Sequence, residues 1–151
     1  MDNIEATTKL LQEVGPLLEP LAITFDPEDG SWNVAVDEDT VIGIALDEAS
    51  GMLVFVLELG PVEDAAAERA HEILLRFSFL WRDTGGIQAA LDDEGTPVLI
   101  YRRPLAGLDT PRLRALLANL AAQREPWMTV ISTAPQSETH VEEGVPGFIR
   151  V

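Results

Sequence analysis

The sequence predicts an α+β fold, a mostly antiparallel sheet covered by helices, in the order α-β-β-β-α-β-β-α. Three observations predict it. Apolar residues recur at helical spacing in three separated stretches, near the start, in the middle and towards the end. Between them lie short alternating or continuous apolar runs such as "SWNVAVD", "TVIGIALD", "GMLVFVLELG" and "PVLIYRR". Turn segments, "PEDG", "DEASG" and "DEG", join neighbouring runs directly, as hairpins require.

The first helix is expected over residues 3–14, with Asn3 as its cap. Ile4, Leu11, Val14 and Leu18 share a face that Leu10 and Leu17 widen, and Gly15-Pro16 interrupts or tightens the helix near its end. "LAITFD" is a short strand candidate. The turn "PEDG" follows, with Gly30 free to take positive φ. In "SWNVAVD", Trp32, Val34 and Val36 fall on one side and Asn33 and Ala35 on the other. In "GMLVFVLELG", Met52, Val54 and Val56 face one way and Leu53, Phe55, Leu57 and Leu59 the other. Apolar residues on both faces mean a strand covered on both sides, or one side that awaits a partner.

The middle helix is expected from about Val62 to Arg82, with Pro61 at its start and Gly85-Gly86 at its end. "IQAALD", "DEG" and "PVLIYRR" form a hairpin. "LDTPRLRALLANLAAQREPWMTVIS" is the last helix, capped by Thr110 with Pro111 at its first position, and kinked or divided by Pro126. Leu113, Leu116, Leu117, Leu120 and Ala121 mark its inner face. Residues 1–134 thus form one domain, and 135–151 a polar tail ending in "PGFIRV".

Composition excludes several functions. The chain has 151 residues and a net charge of −16. Residues 1–64 carry fifteen acids and one base, Lys9, whereas residues 65–151 carry eleven acids and nine arginines. Such a surface repels phosphate backbones and anionic lipid, so neither nucleic acid nor a membrane is an expected partner. The absence of cysteine excludes disulfides and thiolate chemistry and fits a reducing cytoplasm. The stretch "MDNIEATTKLLQEV" lacks a basic segment followed by an apolar core, so no signal peptide is expected there, and no apolar run is long enough to span a bilayer.

No catalytic, metal or cofactor site is expected. H-E-x-x-H, G-x-S-x-G, P-loop and dinucleotide-binding patterns are all missing. Of the two histidines, His140 lies in the tail. His71, on a helix, is read as a surface or interface residue. The acidic clusters "DPEDG", "VDEDT" and "LDDEGT" do not fit a calcium loop and sit where hairpins must turn. Trp32 and Trp127 are each read as core or half-buried.

One feature exceeds what a single domain needs. At about 100° per residue, Ile73, Leu74, Phe77, Leu80 and Trp81 of the middle helix lie on one side, joined by Ala66 and Ala70. Leu75 and Phe79 fall on the opposite side, beside His71, Ser78 and Arg82. The second stripe either packs under the last helix or the tail, or meets another molecule.

Three segments, "VIGIALDEASGMLVFVLELGPV", "ILLRFSFLWRDTGGIQAALDDEGTPVLIYRRPL" and "LDTPRLRALLANLAAQREPWMTVI", resemble the class I chaperones of bacterial type III secretion, the Tir chaperone (CesT) family. The likeness covers residues 1 to about 134. It rests on Leu59-Gly60-Pro61 closing a strand, on the hairpin from Gly86-Ile87 to Leu99, and on the Leu-rich closing helix with Trp127. Where many relatives have Asn after the Leu pair of the middle helix, this chain has Ser78 to Trp81. The resemblance implies a secretion-chaperone-like fold and a cytoplasmic homodimer without cofactors. It implies that His71, Leu75, Phe79 and Arg82 form the dimer interface. It implies capture of the extended N-terminal segment of a secreted effector, with Leu10, Leu11, Val14, Trp32, Val34 and Val36 as binding residues. The same fold also serves interaction modules with other roles, and "PGFIRV" would then be able to fill the groove itself.

Overall fold

The computed structural model describes residues 2–18 and 22–132. Ten elements follow one another: α1 (Asn3–Leu18), β1 (Ala22–Asp26), β2 (Ser31–Ala35), β3 (Val41–Asp47), β4 (Met52–Glu58), α2 (Asp64–Phe79), β5 (Gln88–Leu91), β6 (Pro97–Pro104), α3 (Thr110–Ala121) and α4 (Arg124–Ile131). The six strands form one sheet in the order β1-β2-β3-β4-β6-β5, antiparallel at every pairing. The α+β class and helix-covered antiparallel sheet expected from the sequence are therefore present. The count of strands differs. "LAITFD" pairs along its length with β2, which puts four strands rather than three before α2.

Strand register sorts the side chains. Ile23 and Phe25 align with Val34 and Trp32, then with Ile42 and Ile44, then with Leu57 and Phe55, and finally with Leu99 and Tyr101. This face carries the core. Leu11 and Val14 of α1, Phe77 of α2, Leu113, Leu117 and Leu120 of α3 and Trp127 of α4 join it in one buried cluster. The Phe77 and Trp127 rings meet edge to face at 4.7 Å, a favoured aromatic geometry. On the other face Val54, Val56 and Ile100 are only half-buried.

Helix boundaries depart from the sequence reading for identifiable reasons. Asp2, not Asn3, caps α1: its Oδ1 accepts from Glu5 N at 2.7 Å. The helix continues through Gly15-Pro16 to Leu18, because only two residues follow the proline and little hydrogen bonding is lost. In α3 the cap is Asp109, which accepts from Arg112 N at 2.9 Å, and Thr110 is already helical. The last helix divides at Ala122-Gln123, and Pro126 falls in the first turn of α4, where a missing N–H needs no partner. α2 spans Asp64–Phe79 and is shorter at both ends than expected. Beyond Phe79 the helical phase stops, so Leu80 and Trp81 do not join the inner stripe; Trp81 is 50% exposed.

Turn chemistry accounts for the acidic clusters. Asp26, Asp37, Asp47 and Asp92 each accept a backbone N–H two residues on, at 2.9, 2.9, 3.2 and 2.8 Å. These are Asx turns, which need no cation. Gly60 has φ +108, a backbone conformation that L side chains rarely adopt, so the strand end favours glycine.

Candidate partner-binding groove

A groove of about 730 Å³ lies between α1 and β1. Its helix wall is Thr8, Leu11, Gln12, Gly15 and Pro16; its strand wall is Ala22 to Phe25; Trp32 of β2 completes it. None of these side chains is charged. Phe25 leans on Trp32 with ring centroids 5.1 Å apart. Trp32 is buried beneath it, whereas Phe25 keeps 49% of its surface exposed. Such exposure of a large aromatic beside a concave apolar surface is the pattern of a binding site.

The groove borders a sheet edge. β1 pairs with β2 on one side and, among the described residues, with no strand on the other. The opposite edge strand, β5, is closed. Ser78 Oγ of α2 donates to Ala89 O at 2.7 Å and accepts from Ala89 N at 2.9 Å, which occupies the outward-pointing backbone pair of that strand. Among the described residues the β1 edge is thus unpaired, and the β5 edge is capped at Ala89.

The six binding residues expected from the sequence do not gather in one place. Leu11 and Trp32 line this groove. Val14 and Val34 are wholly buried in the core. Leu10 lies on the other flank of α1, in a cavity of about 600 Å³ shared with Leu105 and Leu108. Val36 borders a third cavity beside Leu18 and the Asp37–Thr40 loop. In that loop the Asp39 backbone N–H, then the Thr40 hydroxyl, hold the Asp37 carboxyl below its ordinary value. Sequence reasoning missed Ile23, Phe25 and Gly15-Pro16. The signal was there in "LAITFD", whose alternation puts Ile23 and Phe25 on one side of a strand.

The second stripe of α2 is solvent-facing in the chain. Leu75 is 72% and Phe79 84% exposed. His71 of the same helix is half-buried, and Arg82, past the helix end, is exposed. The Arg82 guanidinium lies 5.2 Å from the centroid of the exposed Trp81 ring, which extends the apolar surface beyond the helix end. Neither α3 nor α4 covers this stripe, and the tail "PGFIRV" lies outside the described residues. Among the described residues no group of three or more His, Asp or Glu is placed to hold a metal ion, and no helix is long and apolar enough to cross a membrane.

Comparison with known proteins agrees with this architecture. A profile of the Tir chaperone protein (CesT) family matches residues 9–128, and the chain belongs to that family. It is similar to a chain in the crystal structure of the ExsC–ExsE complex, at 22% identity and a TM-score of 0.76, over 89% of this chain and 100% of that one. It is similar to a chain of the HopA1–SchA chaperone–effector complex, at 22% identity and a TM-score of 0.68, over 83% and 95%. A third likeness is to the structure of the Yersinia pestis type III secretion chaperone SycH with a fragment of YscM2, at 22% identity and a TM-score of 0.57, over 77% and 94%. At this identity the solved structures establish the fold. No curated protein matches the chain.

Proposed function

We propose that the protein is a type III secretion chaperone that works by binding rather than turnover, and that it holds the extended N-terminal segment of a secreted effector. The observation that carries this reading is the uncharged α1–β1 groove beside an unpaired strand edge. A segment laid there gains main-chain hydrogen bonds from β1 and places alternate side chains against Phe25, Trp32 and Leu11. The likeness to a chain of a chaperone–effector complex supports the class of partner. The exposed Leu75 and Phe79 support a homodimer through α2, with His71 and Arg82 at its rim.

The test uses candidate effector segments from the same genome, mixed with purified protein. Wild type is expected to retain a cognate segment, and Phe25→Asp, a change at an exposed wall, to release it while keeping its melting temperature. Retention of every cognate segment by folded Phe25→Asp, or capture of none by wild type, overturns the reading.

A further inference from the structure

The groove is uncharged within, and an acidic turn follows its Phe25 wall. Phe25 and Trp32 are paired across the β1–β2 ladder, and the turn Asp26–Ser31 follows directly. That turn carries Asp26, Glu28 and Asp29, the last two exposed. On the helix wall Glu5 stands one turn before Thr8 and is also exposed. The acids of this turn thus follow directly on Phe25 in the chain, and Glu5 precedes Thr8 on α1. Among the described residues no salt bridge engages any of them. Lys9, the only base in residues 1–64, is on the other flank of α1, in the Leu10 cavity, 4.0 Å from Glu13. Asp26 Oδ1 accepts Glu28 N at 2.9 Å, which fixes the backbone of the turn.

We infer that the groove selects segments in which alternating apolar anchors are followed, beyond the Phe25 end, by lysine or arginine. This rests on the groove being the partner's seat. Uncompensated carboxylates a few residues from the anchors attract cations over a Debye length of about 8–10 Å, enough to reach side chains just outside the groove. They also repel an acidic continuation of the same segment, so the charge acts as a filter as well as an attraction. Because the turn's acids follow directly on Phe25, the filter gives the segment a direction: only one order of anchors and bases satisfies both parts.

The experiment uses four synthetic peptides with the same three alternating leucines. One carries three lysines before the leucines, one carries them after, and two carry glutamine or glutamate there instead. Binding is measured at about 50 mM and about 500 mM salt, the range over which screening removes such attraction. One lysine order is expected to bind about three- to tenfold tighter than the glutamine peptide, the size of two or three exposed pairs, and to lose that advantage at high salt. Glu28→Lys with Asp29→Lys, on an exposed turn, is expected to reverse the order and favour glutamate. Equal binding of all four peptides, with Phe25→Asp still abolishing it, overturns the charge filter and leaves the groove standing. An advantage shared by both lysine orders and untouched by the turn variant also overturns it, as an effect of net charge alone. Failure of every peptide to bind removes the groove reading and the filter together.

Discussion

The Ser78 hydroxyl both donates to Ala89 O and accepts from Ala89 N, at 2.7 and 2.9 Å, and so replaces a strand neighbour at the β5 edge. Ser78→Ala leaves both backbone groups without that partner. The expected cost is about 1–3 kcal/mol, the penalty for part-buried polar groups left unmade. Urea denaturation measures it, and amide exchange at Ala89 is expected to rise locally.

Leu75→Asp with Phe79→Asp alters only exposed side chains, so the fold is expected to persist. Wild type at micromolar concentration is expected to sediment as a dimer of the 16.5 kDa chain, and the double variant as a monomer. A monomeric wild type ends the assignment of α2 as an interface.

Trp127 and Phe77 fill the junction of α2, α4 and the sheet, and both are wholly buried. Phe77→Ala is expected to cost about 3–5 kcal/mol, by lost transfer and the cavity left behind. For a domain with typical stability of about 5–15 kcal/mol that is a large fraction, read as a lower urea midpoint.

Asp47 accepts from the Ser50 hydroxyl at 2.7 Å and from the Ala49 backbone N–H, and chiefly the hydroxyl holds its carboxyl below the ordinary value of 3.8. A depressed folded-state value means the turn's contribution is complete above the unfolded value and is lost as pH falls through the folded one. Carbon-detected titration of the side chain is expected to show this, and Ser50→Ala to move Asp47 back up. An unchanged Asp47 in that variant excludes the hydroxyl as the cause.

Much of the fold was legible because period and punctuation agreed. Val34, Phe55 and Leu57 alternate with outward residues, and Asp and Gly mark the turns between. The inner stripe of α2 was legible through Phe77, but Leu80 and Trp81 were not, because a helical wheel assumes the helix continues. The site was harder. Val14 and Val34 share an apolar pattern with Leu11 and Trp32, and pattern does not distinguish a filled interior from a half-open one. That difference depends on where α1 stops covering the sheet. Phe25 lies in β1, which the sequence offers as a short strand candidate with nothing to mark it as an edge.

The helix wall of the groove is anchored far away along the chain. Thr110 Oγ1 donates to Glu13 Oε2 at 2.7 Å and Arg114 Nε to Leu17 O at 3.1 Å, each across 97 residues. At synthesis rates of about 5–20 residues per second, α3 follows α1 out of the ribosome by roughly 5–20 s. Throughout that interval α1 and β1 exist without the two hydrogen bonds to α3. The helix wall of the groove therefore gains these two ties only after α3 has been made.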